Sequence, residues 1–526
     1  MPRRPGYLRC CLLACLAPCL LLMGTPLHAE THLVTFAGGP NPQSDQNSLE
    51  QNVLYFRRTL DVLHLAGLKH EEFFADAGRS PHAVEIHVHH TAAATLTDDI
   101  AAVLNPDTER DVRFRAANIP ALAGPSTFEA LAHWFDTTGK SLPPHARLIF
   151  YFTGHGGTID MPMSNMNPGG RGGRGARRPL APVADPRNTT MLLWNSPDLT
   201  VTDFEKQLDK LDPTIDVTLL MVQCHSGGFA NVLYKDADPK SGLVRQLRCG
   251  FFASTADRPA AGCTPDIDRD DYEEFSTGFF AALSGVTRDG KKIPKPDYDH
   301  DGQTSLADAF TYVVLTSNTI DTPITTSDQF LRDTASIPNI TRNGLLGKDA
   351  TYADLLAAAN PFQRAILAGL SQTLNLSGDN RSANARSQIA LIDRDRGNLD
   401  RQHAQIERQF DQSRENLRIP LTLTWPELGI PLHPATETIL MSETSQLHKY
   451  LEGLRAWPTY QQASQQLADL EAQDTVLEKQ NIKFLRFLYT ADSVALAHNL
   501  QTAGDAKMQA IYADLLLREN RPLAEK

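Results

Sequence analysis

Beyond its first 29 residues the chain is poor in cysteine, in positive charge and in long apolar runs. Of seven cysteines, Cys10, Cys11, Cys15 and Cys19 fall in the opening stretch, which leaves Cys224, Cys249 and Cys263. An odd number cannot all pair, and the simplest arrangement joins Cys249 to Cys263 across a short loop, with Cys224 as a free thiol. The formal charge is -12, and it becomes -15 without the opening stretch, which holds Arg3, Arg4, Arg9 and no acid. A chain so acidic does not bind nucleic acid by bulk attraction. Nothing after position 29 is both apolar and long enough to cross a bilayer, which takes about 20 residues, so no membrane span is expected.

The opening stretch reads as a secretory signal, with a basic start, an apolar run at 10–23 and a small-residue exit at 24–29. Cleavage is expected after Ala29, and the mature protein is expected to be secreted or periplasmic. A lipid anchor fits less well, because Pro18 precedes Cys19 and Cys15 leaves too short an apolar region. In an oxidising compartment a leftover thiol points to a reactive role.

At 526 residues the chain is long enough for at least two domains. From 32 to about 318, short apolar runs alternate with amphipathic stretches, the pattern of an α/β domain whose mostly parallel sheet is sandwiched by helices. Strands are expected at 32–37, around Phe73 and Phe74, and at 148–152, 217–222 and 250–254. Helices are expected to open at the capping boxes Ser48/Gln51, Ser126/Glu129 and Thr202/Glu205. The first would end at Gly67. Residues 161–187, dense in Gly, Pro and Arg, read as a loop insertion. From about 351 the composition turns to Ala, Leu, Gln, Asp and Arg. Ile389, Ile392, Leu399, Ile406, Phe410 and Leu417 form a heptad-like stripe, and 460–500 is expected to return antiparallel to it as a coiled-coil-like pair. The expected division is a domain at 30–345 and a helical one at 346–526, whose helices offer a surface for self-association or a protein partner.

Two apolar strands run straight into glycine-rich segments, Gly154-His155-Gly156-Gly157 and Gln223-Cys224-His225-Ser226-Gly227-Gly228. In an open parallel sheet, ligands bind beyond the carboxyl ends of the strands, where these segments fall. A thiol attacks a carbonyl as thiolate, and a free cysteine with an ordinary pKa near 8.5 needs a base, for which His155 is placed. Backbone N–H groups of Gly156 and Cys224 could receive the tetrahedral oxyanion.

These residues resemble the caspase-like superfamily of cysteine peptidases, of the legumain and metacaspase type. The resemblance covers about 32–318. It implies a caspase-like fold, a peptide or protein substrate, and no catalytic cofactor. It further implies a His155/Cys224 dyad, an oxyanion hole at Gly156 and Cys224, and a specificity pocket built partly from Val222, Ser254, Thr255 and Asp257. Val222 stands where metacaspases and legumains carry an acidic residue. Asp257, in Asp257-Arg258-Pro259, reads either as a replacement charge or, by preference, as a turn.

A second chemistry is written at Asp297, Asp299, Asp301, Gln303, Ser305 and Asp308, the spacing of an EF-hand calcium loop with Gly302 at its sharp turn. A terminal Asp in place of Glu shortens the reach to the ion. Glu85, His87 and His89 alternate as zinc ligands can, but a solvent-facing strand edge explains the pattern without a metal and is the preferred reading. Two other functions compete: a serine esterase using Ser226, since Cys224-x-Ser226-x-Gly228 approaches a nucleophile elbow, and a non-catalytic scaffold presenting the helices.

Overall fold

The protein is described from a computed structural model over residues 30–87, 100–104, 112–159, 185–246, 248–262, 273–430 and 433–524. The expected signal segment, Cys263, His89 and most of the 161–187 insertion lie outside the described residues.

Strand β5 (Arg147–Thr158) shows why the sheet is covered on both sides. Strand geometry sends alternate side chains to opposite faces. Ile149 and Tyr151 enter one core, while Leu148, Phe150 and Phe152 enter another. The same division holds along β8 (Asp216–Met221), with Leu220 on the first face and Leu219 and Met221 on the second. These strands lie side by side and parallel at the centre of a sheet ordered β10-β9-β8-β5-β1-β2. The flanking strands are β1 (Thr31–Gly38), β2 (Lys69–Phe74), β9 (Arg248–Phe252) and β10 (Ile324–Thr325), of which only β10 runs antiparallel to its neighbour. Helices α1 (Asn47–Val62), α5 (Phe275–Ser284) and α6 (Leu306–Thr316) cover the first face. Helices α3 (Phe128–Trp134) and α4 (Val201–Leu208) cover the second. This is an α/β fold with a mostly parallel sheet, as the sequence implies. A separate hairpin, β3 (Val84–His87) with β4 (Val112–Arg115), stands beside it.

Element ends differ from expectation by a few residues. Helix α1 has Gln46 at its N-cap with no side-chain cap, so Ser48 is buried in the first turn instead of capping it. It ends at Val62, before the left-handed step at His64 (φ 59°), and Gly67 plays no part in stopping it. Thr127 and Thr200 cap α3 and α4 in place of Ser126 and Thr202. Each stretch offers two neighbouring hydroxyl groups, and packing of the helix on the sheet decides which is used. Strand β5 runs on past Phe152 because its end pairs antiparallel with β6 (Thr189–Leu192), which in turn pairs with β7 (Leu199–Thr200).

After α7 (Thr326–Thr334) the chain is helical: α8 (Tyr352–Ala358), α9 (Pro361–Thr373), α10 (Arg381–Thr424), α11 (Ala435–Ser442), α12 (Thr444–Glu452), α13 (Trp457–Ala503) and α14 (Ala506–Glu519). The expected antiparallel pair is α10 with α13. Asp393 meets Asn481 (3.1 Å), Arg396 meets Asp474 (2.9 Å), and the rings of Phe410 and Tyr460 stack 5.0 Å apart. Ile392, Leu399, Phe410 and Leu417 of the expected stripe are buried, with Ile389 and Ile406 partly so. The far end of this pair takes in Ile100 and Val103 from α2, described over 100–104. At its near end, Phe484, Phe487 and Val494 share one core with Leu220, Phe251 and Phe310, so residues on both sides of position 345 close the same cluster. Among the described residues no helix is long and apolar enough to cross a membrane.

Because Phe487 is fully buried in that shared core, Phe487→Ala is expected to cost about 3–5 kcal/mol. Chemical denaturation followed separately by sheet and helix signals should show one coincident transition moving to lower denaturant. Two transitions, with only the helical one displaced, would refute the shared core.

Candidate active site

The two central strands bring the glycine-rich segments together. Their register pairs Phe152 with Met221, and Val222 N–H still donates to Phe152 O at 3.1 Å. The ladder ends there, because β8 stops at Met221, and both glycine-rich segments follow it at the same carboxyl edge of the sheet. Alternation places His155 on the face of Ile149 and Tyr151. The approach is close: a Cβ on Gly156 would lie 2.1 Å from the Cys224 carbonyl oxygen and 2.6 Å from Cγ of Gln223. Only glycine fits there. Gly156 also belongs to the β5/β6 ladder, opposite Met191.

His155 is 7% exposed, and its Nε2 lies 2.8 Å from both the Ser44 carbonyl oxygen and Gln46 Oε1. A carbonyl oxygen only accepts, so the proton sits on Nε2 and Nδ1 keeps its lone pair. Burial lowers the pKa of the imidazole, opposed by the Ser44 bond and the nearby Asp45 and Glu85. Asp45 is itself fully buried, and burial raises its pKa well above the carboxylate range. Its Oδ1 accepts from Gly39 N–H (2.9 Å), while Oδ2 has no hydrogen-bond partner among the described residues.

Cys224 is half-buried. Its Sγ accepts from Ala260 N–H at 3.3 Å, and the thiol donates to Ala260 O at 3.7 Å. The next residue, His225, turns left-handed (φ 60°), an uncommon conformation for a residue with a side chain. The segment after β9 holds it there: His225 N–H donates to Arg258 O (2.9 Å) and its Nδ1 to Ala256 O (2.8 Å). Gly227 N–H donates to Ser254 O (2.8 Å).

The other expected site residues divide sharply. Val222 is packed in the apolar core of the first face. Ser254 is fully buried, with its hydroxyl on Pro259 O (2.8 Å) and its N–H on Ser226 Oγ (3.2 Å). These two support the turn and do not line an open pocket. Thr255, also buried, donates to Asp257 Oδ1 at 2.6 Å, and Asp257 is exposed in a turn closed by Arg258 N–H to Thr255 O (3.2 Å). Ser226, fully buried, donates to Ser254 O (3.4 Å). Cys249 is fully buried and makes no disulfide among the described residues; its sulfur lies 3.6 Å from Thr218 Oγ1, and burial pushes its pKa up to about 12. Its expected bridge partner, Cys263, lies outside the described residues, as does His89 of the Glu85/His87/His89 set.

Of the six expected calcium ligands, Asp297, Asp299 and Asp308 bring carboxylate oxygens within 4.8 Å of one another. Gly302 makes the expected turn with φ +86°. Asp297 accepts from the N–H groups of Asp301 and Gly302 (each 3.1 Å). Asp308 is bound to Tyr298 N–H and to Ser305, with which it forms the capping box of α6. Asp301 and Gln303 are exposed, and Asp301 is not one of the three converging carboxylates.

Comparison with known proteins finds no matching family model and no matching curated protein.

Ser44, Gln46, Asp45 and Ala260 carry no motif. Two act through backbone atoms that every residue owns, and Asp45 acts through burial, so no sequence pattern marks them. The depressed His155 pKa gives a signed test. In the unfolded chain His155 takes up a proton below about pH 6.5, while in the folded chain it resists, so stability is lost as the pH falls through that region. Measured by denaturation between pH 8 and 5, wild type should therefore lose stability relative to His155→Gln. Parallel curves would refute a buried neutral imidazole.

Proposed function

We propose that the protein is a secreted cysteine endopeptidase of caspase-like fold, with Cys224 as nucleophile and His155 as base. The observation that supports this reading is the register of β5 and β8, which pairs Phe152 with Met221 and so brings the segments of His155 and Cys224 to one carboxyl edge. The half-exposed thiol accepts a backbone N–H bond, and the Ser44 carbonyl leaves Nδ1 of His155 as the basic nitrogen. In the proposed reaction His155 takes the thiol proton, sulfur attacks the peptide carbonyl, and the amides of Gly156 and Cys224 receive the oxyanion. The imidazolium then protonates the leaving amine, and water releases the acyl group from sulfur. Of the rival readings, a serine esterase is disfavoured by the fully buried Ser226 hydroxyl, and a scaffold does not account for a half-exposed thiol at this edge. Incubated with a mixed peptide library, wild type is expected to generate new termini, and Cys224→Ala and His155→Ala to lose at least about 1000-fold in rate. Cleavage surviving Cys224→Ala, or blocked by a fluorophosphonate and not by a thiol alkylator, would overturn the proposal.

We also propose a structural calcium ion at Asp297, Asp299 and Asp308. Three converging carboxylates suit a hard cation, which would offset their mutual repulsion and tie the loop to the start of α6. Calcium at ten to a hundred times its dissociation constant would add about 1.4–2.7 kcal/mol. Thermal unfolding should shift upward with calcium in wild type and not in Asp299→Asn. Equal behaviour of the two would refute the site.

A further inference from the structure

A buried aspartate distant in sequence from both glycine-rich motifs holds the segment that touches the thiol. Asp321 is fully buried. Its Oδ1 accepts from Ala261 N–H at 2.7 Å and its Oδ2 from the Thr319 hydroxyl at 2.8 Å. Ala261 follows Ala260, whose N–H donates to Cys224 Sγ. On its other side Asp321 is anchored by Arg486 of α13, itself 2% exposed. The Arg486 guanidinium donates to the carbonyls of Asp321 (2.8 Å) and Ser317 (2.7 Å), just past the end of α6. A guanidinium removed from water needs such partners, and here they come from the segment that carries Asp321.

We propose that Asp321, fixed by Arg486, is a positioning residue that sets the Ala260 N–H against Cys224 Sγ and thereby favours the thiolate. The inference rests on the reading of Cys224 as nucleophile. A hydrogen bond to the charged form of a group stabilises that form: the longer bond from the thiol to the Ala260 carbonyl is lost with the proton, while the shorter one from Ala260 N–H remains on the thiolate. The C-terminal helices take part through Arg486, with no contact of their own to the thiol required.

The test is the pH dependence of Cys224 alkylation by iodoacetamide on the full protein, read at the Cys224 peptide by mass spectrometry. Asp321→Ala, which leaves Ala261 N–H without its acceptor, is expected to raise the midpoint by about one pH unit. Burial pushes the Asp321 carboxyl up to about 7, so it is charged where an ordinary thiol titrates, and the Asn variant separates loss of that charge from loss of the acceptor. Asp321→Asn keeps an oxygen for Ala261 N–H and should restore most of the wild-type midpoint. An unchanged midpoint in folded Asp321→Ala, or an equal shift in both variants, overturns the proposal. If Asp321→Ala does not fold, amide exchange on wild type decides: the Ala261 amide should exchange at least about 100-fold more slowly than an open loop amide, and fast exchange overturns it. Failure of the peptidase reading looks different, as absent cleavage in wild type with the Asp321 effect on alkylation intact.

Discussion

The site depends on the approach of two backbone segments, Gly156 on the central strand β5 and the Cys224 carbonyl beyond β8, close enough that a methyl group would fall 2.1 Å from that oxygen. Two adjacent parallel strands end at the same level, and one must continue past the turn of the other. A side chain at 156 would force them apart and separate the two glycine-rich segments. The continuation of β5 into a ladder with β6 keeps the strand extended through His155. The glycines of both motifs are thus first a packing requirement, and any catalytic use of their amides is built on that packing.

Around this contact the polar groups are satisfied in a way that fixes orientation. The Ser44 carbonyl holds the His155 ring by Nε2, and Ser44 lies between β1 and α1, elements far from both motifs in sequence. The left-handed His225 is held by carbonyls of Ala256 and Arg258. Strain of this kind persists when surrounding bonds over-determine it. The segment supplying those bonds also supplies the N–H that meets the thiol, so the turn that exposes Cys224 and the group that bonds it are set by one loop.

The long helices are joined to this arrangement more intimately than their composition implies. Arg486 sits fully buried against the end of α6, and Glu519 of α14 accepts from the N–H and hydroxyl of Ser327 in the first turn of α7. Burial pushes the Glu519 carboxyl up to about 8. Buried ionisable groups contribute little net stability, but they are costly to misplace, since breaking one partner leaves the other unsatisfied. They therefore fix where α13 and α14 dock on the sheet edge, while Phe484, Phe487 and Val494 supply the apolar area.

What the sequence determined by itself was periodic or local. Continuous apolar runs mark β5 and β8, the heptad-like stripe marks α10, and His-Gly and Cys-x-Ser-Gly stand out where those strands end. The converging carboxylates of Asp297, Asp299 and Asp308 are legible in the same way, because they and the turn between them lie within a dozen residues. Tertiary structure alone decided the rest: that Ser226, Ser254 and Val222 are turned inward, that a backbone carbonyl orients His155, that Thr127 and Thr200 are the caps, and that Asp321 and Arg486 reach the loop at Cys224. The physical reason is the same in each case. A carbonyl oxygen, a buried hydroxyl or a single guanidinium has no sequence signature, and its role is set by which segments packing brings within about 3 Å of it.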